Sequence, residues 1–222
     1  MIIDGDYGRD GYARIGALLA PEVCNAFLNQ FMQFLETNNV AIEGLSRTST
    51  LLPHEAPEVY GFHYPPMLGL LWGLTPAIEG LVGKPLMPTY SYMRFYREGD
   101  ICRVHGDRPS CEHSLSLTLD YSDGVQWPLE VGSQWLDQPT PRIEEDFGDE
   151  PHAAITMQPG DAVLYRGVNL RHGRTTPNAN GWSAHLFLHW VERDGVYAEH
   201  AFDRNVALTR PINIRLPARA SA

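Results

Sequence analysis

Apolar residues in the first part of the chain keep helical spacing in one stretch, where Val23, Ala26, Phe27, Phe31, Phe34 and Leu35 recur at intervals of three and four. Pro21 opens this stretch, a residue whose fixed φ suits the first helical turn. The pattern predicts an amphipathic helix over 21–37. A second apolar segment begins near Pro65 and is interrupted at Thr75-Pro76, a cap followed by a first-turn proline, which predicts two short helices. From Pro85 onward the period drops to two. Residues 90–96 and 114–119 alternate, Ser122-Asp123-Gly124 reads as a turn, and strand-like pieces follow at 154–157, 162–165 and 183–191. A further short strand is expected at 12–15. The pattern is mainly β with N-terminal helices, an α+β class whose second half is mostly antiparallel.

Two stretches lack a period. Residues 44–64 include a polar run around Arg47-Thr48-Ser49-Thr50, and 132–150 is rich in Pro, Asp and Glu, with an acidic part from 139 to 150. Long aperiodic loops tend to sit over sites, so 44–64 and 139–150 are expected to cover a pocket mouth and select the substrate. The 222 residues suit one elaborated domain: 1–85 as helical support, 86–200 as the core and 201–222 as a tail that packs on the surface or frays.

Composition narrows the functional classes. A hydrophobic fraction of 43% with 8 Phe, 10 Tyr and 5 Trp supplies a core and argues against disorder. The formal net charge of −10 has the wrong sign for gripping a phosphate backbone, so no nucleic-acid partner is expected. Three cysteines at unrelated spacings suggest neither a disulfide framework nor a thiolate metal site, and fit free thiols in a reducing cytoplasm. The first six residues lack the basic region and apolar run of a secretory signal. The longest apolar stretch, 67–83, contains Pro76 and Glu79 and falls short of the ~20 residues that cross a bilayer, so no membrane association is expected.

Chemistry concentrates at His105-Gly106-Asp107. On a strand, residues i and i+2 project to one face, so the imidazole and the carboxylate are placed to share a metal ion. The pair alone is a weak signal and needs a third ligand. His172 is the best candidate, at the end of the strand begun by Gly160-Asp161-Ala162, from which an antiparallel neighbour would bring it to the same ion. Two His and one carboxylate on one side of a metal leave positions open for substrate and oxygen, as in non-haem Fe(II) oxygenases. His185 and His189 lie four apart on a strand-like segment, too far apart for one ion, and His189 reads as structural packing. Tyr90, Tyr92 and Tyr96 are in phase on one strand face, as core aromatics or as a pocket wall. Trp127, Trp135 and Trp182 are candidates for a substrate wall.

The surrounding sequence resembles a known family. Tyr96-Arg97-Glu98-Gly99 followed by His105-Gly106-Asp107 is similar to the Y-x-x-G…H-x-D signature of the prolyl-4-hydroxylase-like branch of the 2-oxoglutarate and Fe(II)-dependent dioxygenases. The run from Gln158 to Gly167, followed by Leu170-Arg171-His172, is similar to that superfamily's turn, strand and distal-histidine segment. Residues 10–19 and the helix after them resemble the approach to its barrel more weakly.

The resemblance implies a double-stranded β-helix, a jelly-roll or cupin-like core, with His105, Asp107 and His172 holding Fe(II) and Tyr96 helping to hold 2-oxoglutarate. It implies a hydroxylase that consumes O2 and 2-oxoglutarate and releases succinate and CO2. Asp107 favours hydroxylation over halogenation, since related halogenases lack that carboxylate. The chain departs from the family where a basic residue usually pairs with the distal carboxylate of 2-oxoglutarate: that neighbourhood reads Asn180-Gly181-Trp182-Ser183. Arg174 is the first substitute and Arg94 the second, with His185 lining the same pocket. The expected partner is a small-molecule substrate or a protein side chain, and the expected assembly a monomer or homodimer. A non-catalytic metal-binding β-helix protein and a Zn or Mn cupin-type enzyme are the alternatives.

Overall fold

The computed structural model describes residues 2–212 and 214. In chain order the elements are β1 (Ile2–Asp4), α1 (Tyr7–Asp10), β2 (Tyr12–Gly16), α2 (Pro21–Thr37), β3 (Ser46–Arg47), β4 (Ala56–Tyr60), α3 (Pro66–Val82), β5 (Leu86–Arg97), β6 (Cys102–His105), β7 (His113–Tyr121), β8 (Leu129–Trp135), β9 (Ile143–Glu144), β10 (His152–Ile155), β11 (Ala162–Tyr165), β12 (Leu170–Arg174) and β13 (Trp182–Glu192). They build an eight-stranded sheet in the order β1-β2-β11-β7-β13-β5-β4-β3 and a five-stranded sheet in the order β10-β8-β12-β6-β9, with every strand pair antiparallel. The two sheets pack face to face through Leu129, Val131 and Leu170 on one side and Val163 and Tyr165 on the other, as in a double-stranded β-helix.

The large sheet is covered on both faces, and β7 shows how the sequence arranges this. Its leucines, Leu115, Leu117 and Leu119, point outward into a core with Phe27 and Phe31 of α2 and Met67, Leu71 and Ile78 of α3. Its intervening Ser114, Ser116 and Thr118 point into the space between the sheets and are also buried. Each fully buried leucine on the outer face contributes about 1.5–3 kcal/mol. The inner face is polar because it lines a site.

Helix α2 spans the predicted residues and buries Cys24, Phe27, Leu28, Phe31 and Leu35. The segment predicted as two short helices is one helix, α3, with Pro76 inside it. Thr75 is not a cap: its Oγ1 donates to Leu71 O at 2.9 Å while accepting the Trp190 indole N–H at 2.9 Å. The carbonyl that Pro76 cannot serve belongs to Trp72, which is 50% exposed, so water can satisfy it. The helix ends at Gly83, whose φ of +74° lets its N–H reach Glu79 O at 2.8 Å.

Three further expectations are corrected. Residues 1–85 are more than helical support, since β1, β2, β3 and β4 form the two margins of the large sheet. The stretch read as a loop from Gly132 begins inside β8, and β9 interrupts it again; the exposed end of β8, Ser133–Trp135, lacks the alternation that would have marked it. His172 is not at the end of the 162–165 strand but on a separate strand, β12, after a turn in which Asn169 N and Leu170 N both donate to Arg166 O. The tail of 201–222 lies partly outside the described residues; its described start is a kink, with non-helical backbone at Ala201, Phe202 and Asp203, that ends the short turn begun at Ala198. Among the described residues no helix is long and apolar enough to cross a membrane.

Candidate metal centre and adjoining cavity

Antiparallel pairing of β6 and β12 sets His105 directly opposite His172. Each imidazole is fixed through Nδ1 on a backbone carbonyl two residues before it, Arg103 O at 2.8 Å and Leu170 O at 3.0 Å. With Nδ1–H donating there, both Nε2 atoms are left bare and turned inward, the usual preparation of a metal-binding histidine. Asp107 lies just past the end of β6, not on the strand. It is held by its own N–H, which donates to Gly167 O at 2.8 Å, and by Ser114 Oγ, which donates to Asp107 Oδ2 at 3.1 Å. Asp107 Oδ1 then sits 3.7 Å from His105 Nε2 and 3.6 Å from His172 Nε2. Donors each about 2.1 Å from one ion are roughly 3.0–3.5 Å apart, so the three atoms fit a single metal with little adjustment.

Glycine is required at 167 by this close approach. A Cβ there would overlap Asp107 Oδ2, Cys111 O and Ser114 Oγ. Electrostatics match the geometry. Burial, with His172 alongside, pushes His105 down to about 4, so its imidazole is neutral at pH 7 and free to ligate. Burial alone would raise the Asp107 carboxyl, but the His172 and His105 imidazoles hold it well below the usual carboxylate range.

The cluster forms one wall of a small pocket of ≈ 20 Å³ between the sheets, also lined by Tyr92, Arg94, Tyr96 and Arg174. Toward solvent it opens into a cavity of ≈ 390 Å³ that reaches His105 and Asp107. Arg174 is 1% exposed. Its Nη1 donates to Trp127 O at 2.9 Å, its Nη2 reaches Ser116 Oγ and His185 Nδ1 at 3.4 Å each, and its guanidinium lies over the Trp127 ring. All of these partners are neutral or carry no formal charge.

Arg94 differs. Its Nε and Nη2 are 2.8 and 2.5 Å from Glu58 Oε2, so a buried carboxylate already matches its charge. Its Nη1 donates to the Tyr96 hydroxyl at 3.3 Å, placing Tyr96 between the two arginines; burial pushes that phenol up to about 12. His185 lies behind Arg174 rather than on the pocket wall, with Thr118 Oγ1 3.3 Å from its Nδ1.

Other residues of the site were legible only in part. Glu58, Tyr60, Tyr90 and Tyr92 line the larger cavity, with Tyr90 stacked on Tyr92 and Tyr60 stacked on Tyr90. His189, read as packing, stacks on Tyr90, and its Nδ1 is 2.9 Å from the same Ser114 Oγ that holds Asp107. The period-two phase of residues 90–96 was the available signal for the tyrosines; nothing in the sequence pointed to Glu58, which pairing of β4 with β5 brings opposite Arg94. The three tryptophans do not make one wall. Trp127 packs under Arg174, Trp135 is exposed beneath Arg166, and Trp182 lines a separate groove with Leu28, Met32 and Phe95. Of the aperiodic stretches, Thr48–Leu51 and Thr140, Pro141 and Ile143 all edge the larger cavity.

Two antiparallel sheets with two imidazoles and a carboxylate facing the space between them form the jelly-roll that many iron- and 2-oxoglutarate-dependent enzymes share. Solved structures bear the fold out: the chain is similar to the non-haem α-ketoglutarate-dependent carbocyclase SnoK from nogalamycin biosynthesis, with 13% identity, a TM-score of 0.66, and 96% of this chain and 91% of that chain covered. It is similar also to HygX from Streptomyces hygroscopicus with nickel and 2-oxoglutarate bound, at 12% identity and a TM-score of 0.61 over 85% of each chain. A third is a Pseudomonas putida prolyl-4-hydroxylase, at 15% identity and a TM-score of 0.55, covering 86% of this chain and 96% of that one. No protein-family profile and no curated protein sequence matches the chain.

Proposed function

We propose that the protein is an Fe(II)- and 2-oxoglutarate-dependent dioxygenase. His105, Asp107 and His172 hold the iron, and Arg174 holds the distal carboxylate of 2-oxoglutarate, with Tyr96 beside it. The observation that carries this reading is the pairing of the three-donor cluster with Arg174. A guanidinium buried to 1% exposure, with only uncharged acceptors around it, is poised for an anion, because a buried charge without a counter-charge costs several kcal/mol. Arg174 follows His172 by two residues on the same strand and lines the same pocket, about 6.6 Å along β12. That span suits a short diacid bound to the metal at one end and to the fork of Arg174 at the other.

When bound, the iron with its cosubstrate and O2 supplies oxidative decarboxylation to succinate and CO2, coupled to oxidation of a C–H bond. The chain's own contribution is placement. The carbonyls of Arg103 and Leu170 fix the two imidazoles, Ser114 and Gly167 fix Asp107, and the packed sheets exclude water. The pocket at Arg174 has about the volume of one water, so seating the diacid displaces side chains there, and Tyr96 and Phe187 border the space. Hydroxylation is the preferred outcome because Asp107 fills the carboxylate position. The substrate is a small molecule or a protein side chain that enters through the ≈ 390 Å³ cavity. The test is O2-dependent conversion of 2-oxoglutarate to succinate by the Fe(II)-loaded protein. A protein that binds metal but neither binds nor consumes 2-oxoglutarate would refute the assignment.

A further inference from the structure

Successive residues on a strand face opposite ways, and at the start of β7 this matters twice. Ser114 turns toward Asp107. His113 turns the other way, into a cluster that the proposed iron centre does not use. Antiparallel pairing sets His113 opposite Trp190 and so brings it near Glu192 at the end of β13. Glu112, His113 and Glu192 each offer a donor atom, all within 4.8 Å of one another.

His113 is fully buried. Its Nδ1 is 2.6 Å from the Tyr7 hydroxyl, whereas its Nε2 has no hydrogen-bond partner and lies 3.7 Å from Glu192 Oε1, beyond hydrogen-bond reach. An orphaned buried ring nitrogen costs about 1–3 kcal/mol and calls for an explanation. Glu112 is buried too, and accepts the Glu192 backbone N–H on Oε2 at 2.8 Å. Two carboxylates and an imidazole therefore converge where Tyr7 has already fixed the far ring nitrogen. In the tautomer that donates Nδ1–H to the Tyr7 oxygen, Nε2 presents a lone pair, the outer-shell arrangement typical of metal-ligating histidine. Burial keeps the imidazole neutral, as a ligand must be. The Arg166 guanidinium stands over the Tyr7 ring and opposes a cation, but two carboxylates outweigh one guanidinium.

We propose that Glu112, His113 and Glu192 form a second site for a divalent metal of the zinc type, distinct from the His105–Asp107–His172 centre and on the opposite face of the large sheet. Mixed imidazole and carboxylate donors are the set zinc accepts at about 2.0–2.2 Å. Glu192, partly exposed, gives the ion its entry, and water completes the coordination. Because its ligands come from the beginning of β7 and the end of β13, the ion clips together two central strands of the large sheet. Its role is structural.

The test is zinc stoichiometry of the full chain after equilibrium dialysis, measured by elemental analysis. Two equivalents are expected for the unaltered protein and one for the Asp107→Ala/His172→Ala variant, which keeps this site alone. Adding Glu192→Gln to that variant should remove the remaining equivalent and abolish the rise in Tm that zinc otherwise gives it. Glu192 is partly exposed, so this variant is expected to fold, which circular dichroism checks; His113→Gln in the same background should behave alike. A single equivalent in the unaltered protein that is lost in Asp107→Ala/His172→Ala, or an ion retained by Asp107→Ala/His172→Ala after Glu192→Gln, would overturn the proposal.

Discussion

Replacing Arg174 separates the anion-anchor reading from every structural one. In the protein free of cosubstrate, this guanidinium is a buried cation whose hydrogen bonds all go to uncharged acceptors. Pairing with a carboxylate would add charge-assisted bonds of about 1.5–3 kcal/mol each, and truncating one partner of a buried pair costs about 3–5 kcal/mol. At about 1.4 kcal/mol per tenfold, Arg174→Ala should raise the apparent KM for 2-oxoglutarate by roughly two to three and a half orders of magnitude. Arg174→Lys keeps the charge but loses the fork, and should cost less. Fe(II) affinity should barely change, because the guanidinium is not a ligand. A second readout needs no turnover: cosubstrate at 100 times its Kd stabilises the folded chain by about 2.7 kcal/mol, and this rise in Tm should vanish in Arg174→Met. Arg94→Ala should act differently. It leaves the Glu58 carboxylate buried and unmatched, so it should lower Tm more than it raises the KM for 2-oxoglutarate. An Arg174→Ala protein that keeps both its KM and its cosubstrate-induced shift in Tm, while Arg94→Ala loses them, would refute the assignment.

Three other outcomes are expected. His105→Ala, Asp107→Ala and His172→Ala should each abolish succinate formation yet melt cooperatively, since the fold rests on the sheets; full activity in any one of them removes that residue from the metal site. In metal-free protein, His105 and His189 are both depressed to about 4, chiefly by burial. Between pH 6.5 and 4 the unfolded chain therefore binds protons that the folded chain refuses. Stability is full above pH 6.5 and falls by up to about 1.4 kcal/mol per unit for each group as pH drops through that window, and a urea midpoint in EDTA that stays flat from pH 7 to 4.5 would contradict this. In the acidic loop, Glu150 is a buried partner of Arg171, so Glu150→Ala should cost about 3–5 kcal/mol, whereas replacing 138–142 with Gly and Ser should change substrate KM or coupling with little effect on urea denaturation.

What the sequence disclosed and what it concealed follow from the range of the interactions involved. His105, Asp107 and His172 were readable because a short motif and its spacing mark them, and α2 because its core face repeats along one element. Arg174 was singled out as a near neighbour of His172, and it does line the same pocket. The site's other members depend on strand register. Glu58 meets Arg94 only because β4 pairs with β5, and His189 meets Ser114 only because β13 pairs with β7. A one-residue slip would turn either away, and no local pattern records the register. Pattern also fails where both faces of a strand are buried: most of β13 is buried regardless of phase, so His189 looks like a core residue by position although it lines the pocket, and His185 looks like a pocket residue although it lies behind Arg174. Pro76 misled because a proline signals a boundary locally, while the packing of Met67, Leu71 and Ile78 carries α3 through it.

Gly167, whose missing side chain leaves room for Asp107, has a meaning for heredity as well as for geometry. Every single-base change of a glycine codon that replaces the residue by another specifies a larger side chain, so this position has no neutral substitution as long as the carboxylate must stay where it is. A lineage can redraw the cavity edge at 48–50 and 138–142 and acquire new substrates, but it can change residue 167 only by first giving up Asp107. In descendants of this chain, glycine at 167 should therefore be inherited together with aspartate at 107, and the loss of one should forecast the loss of the other.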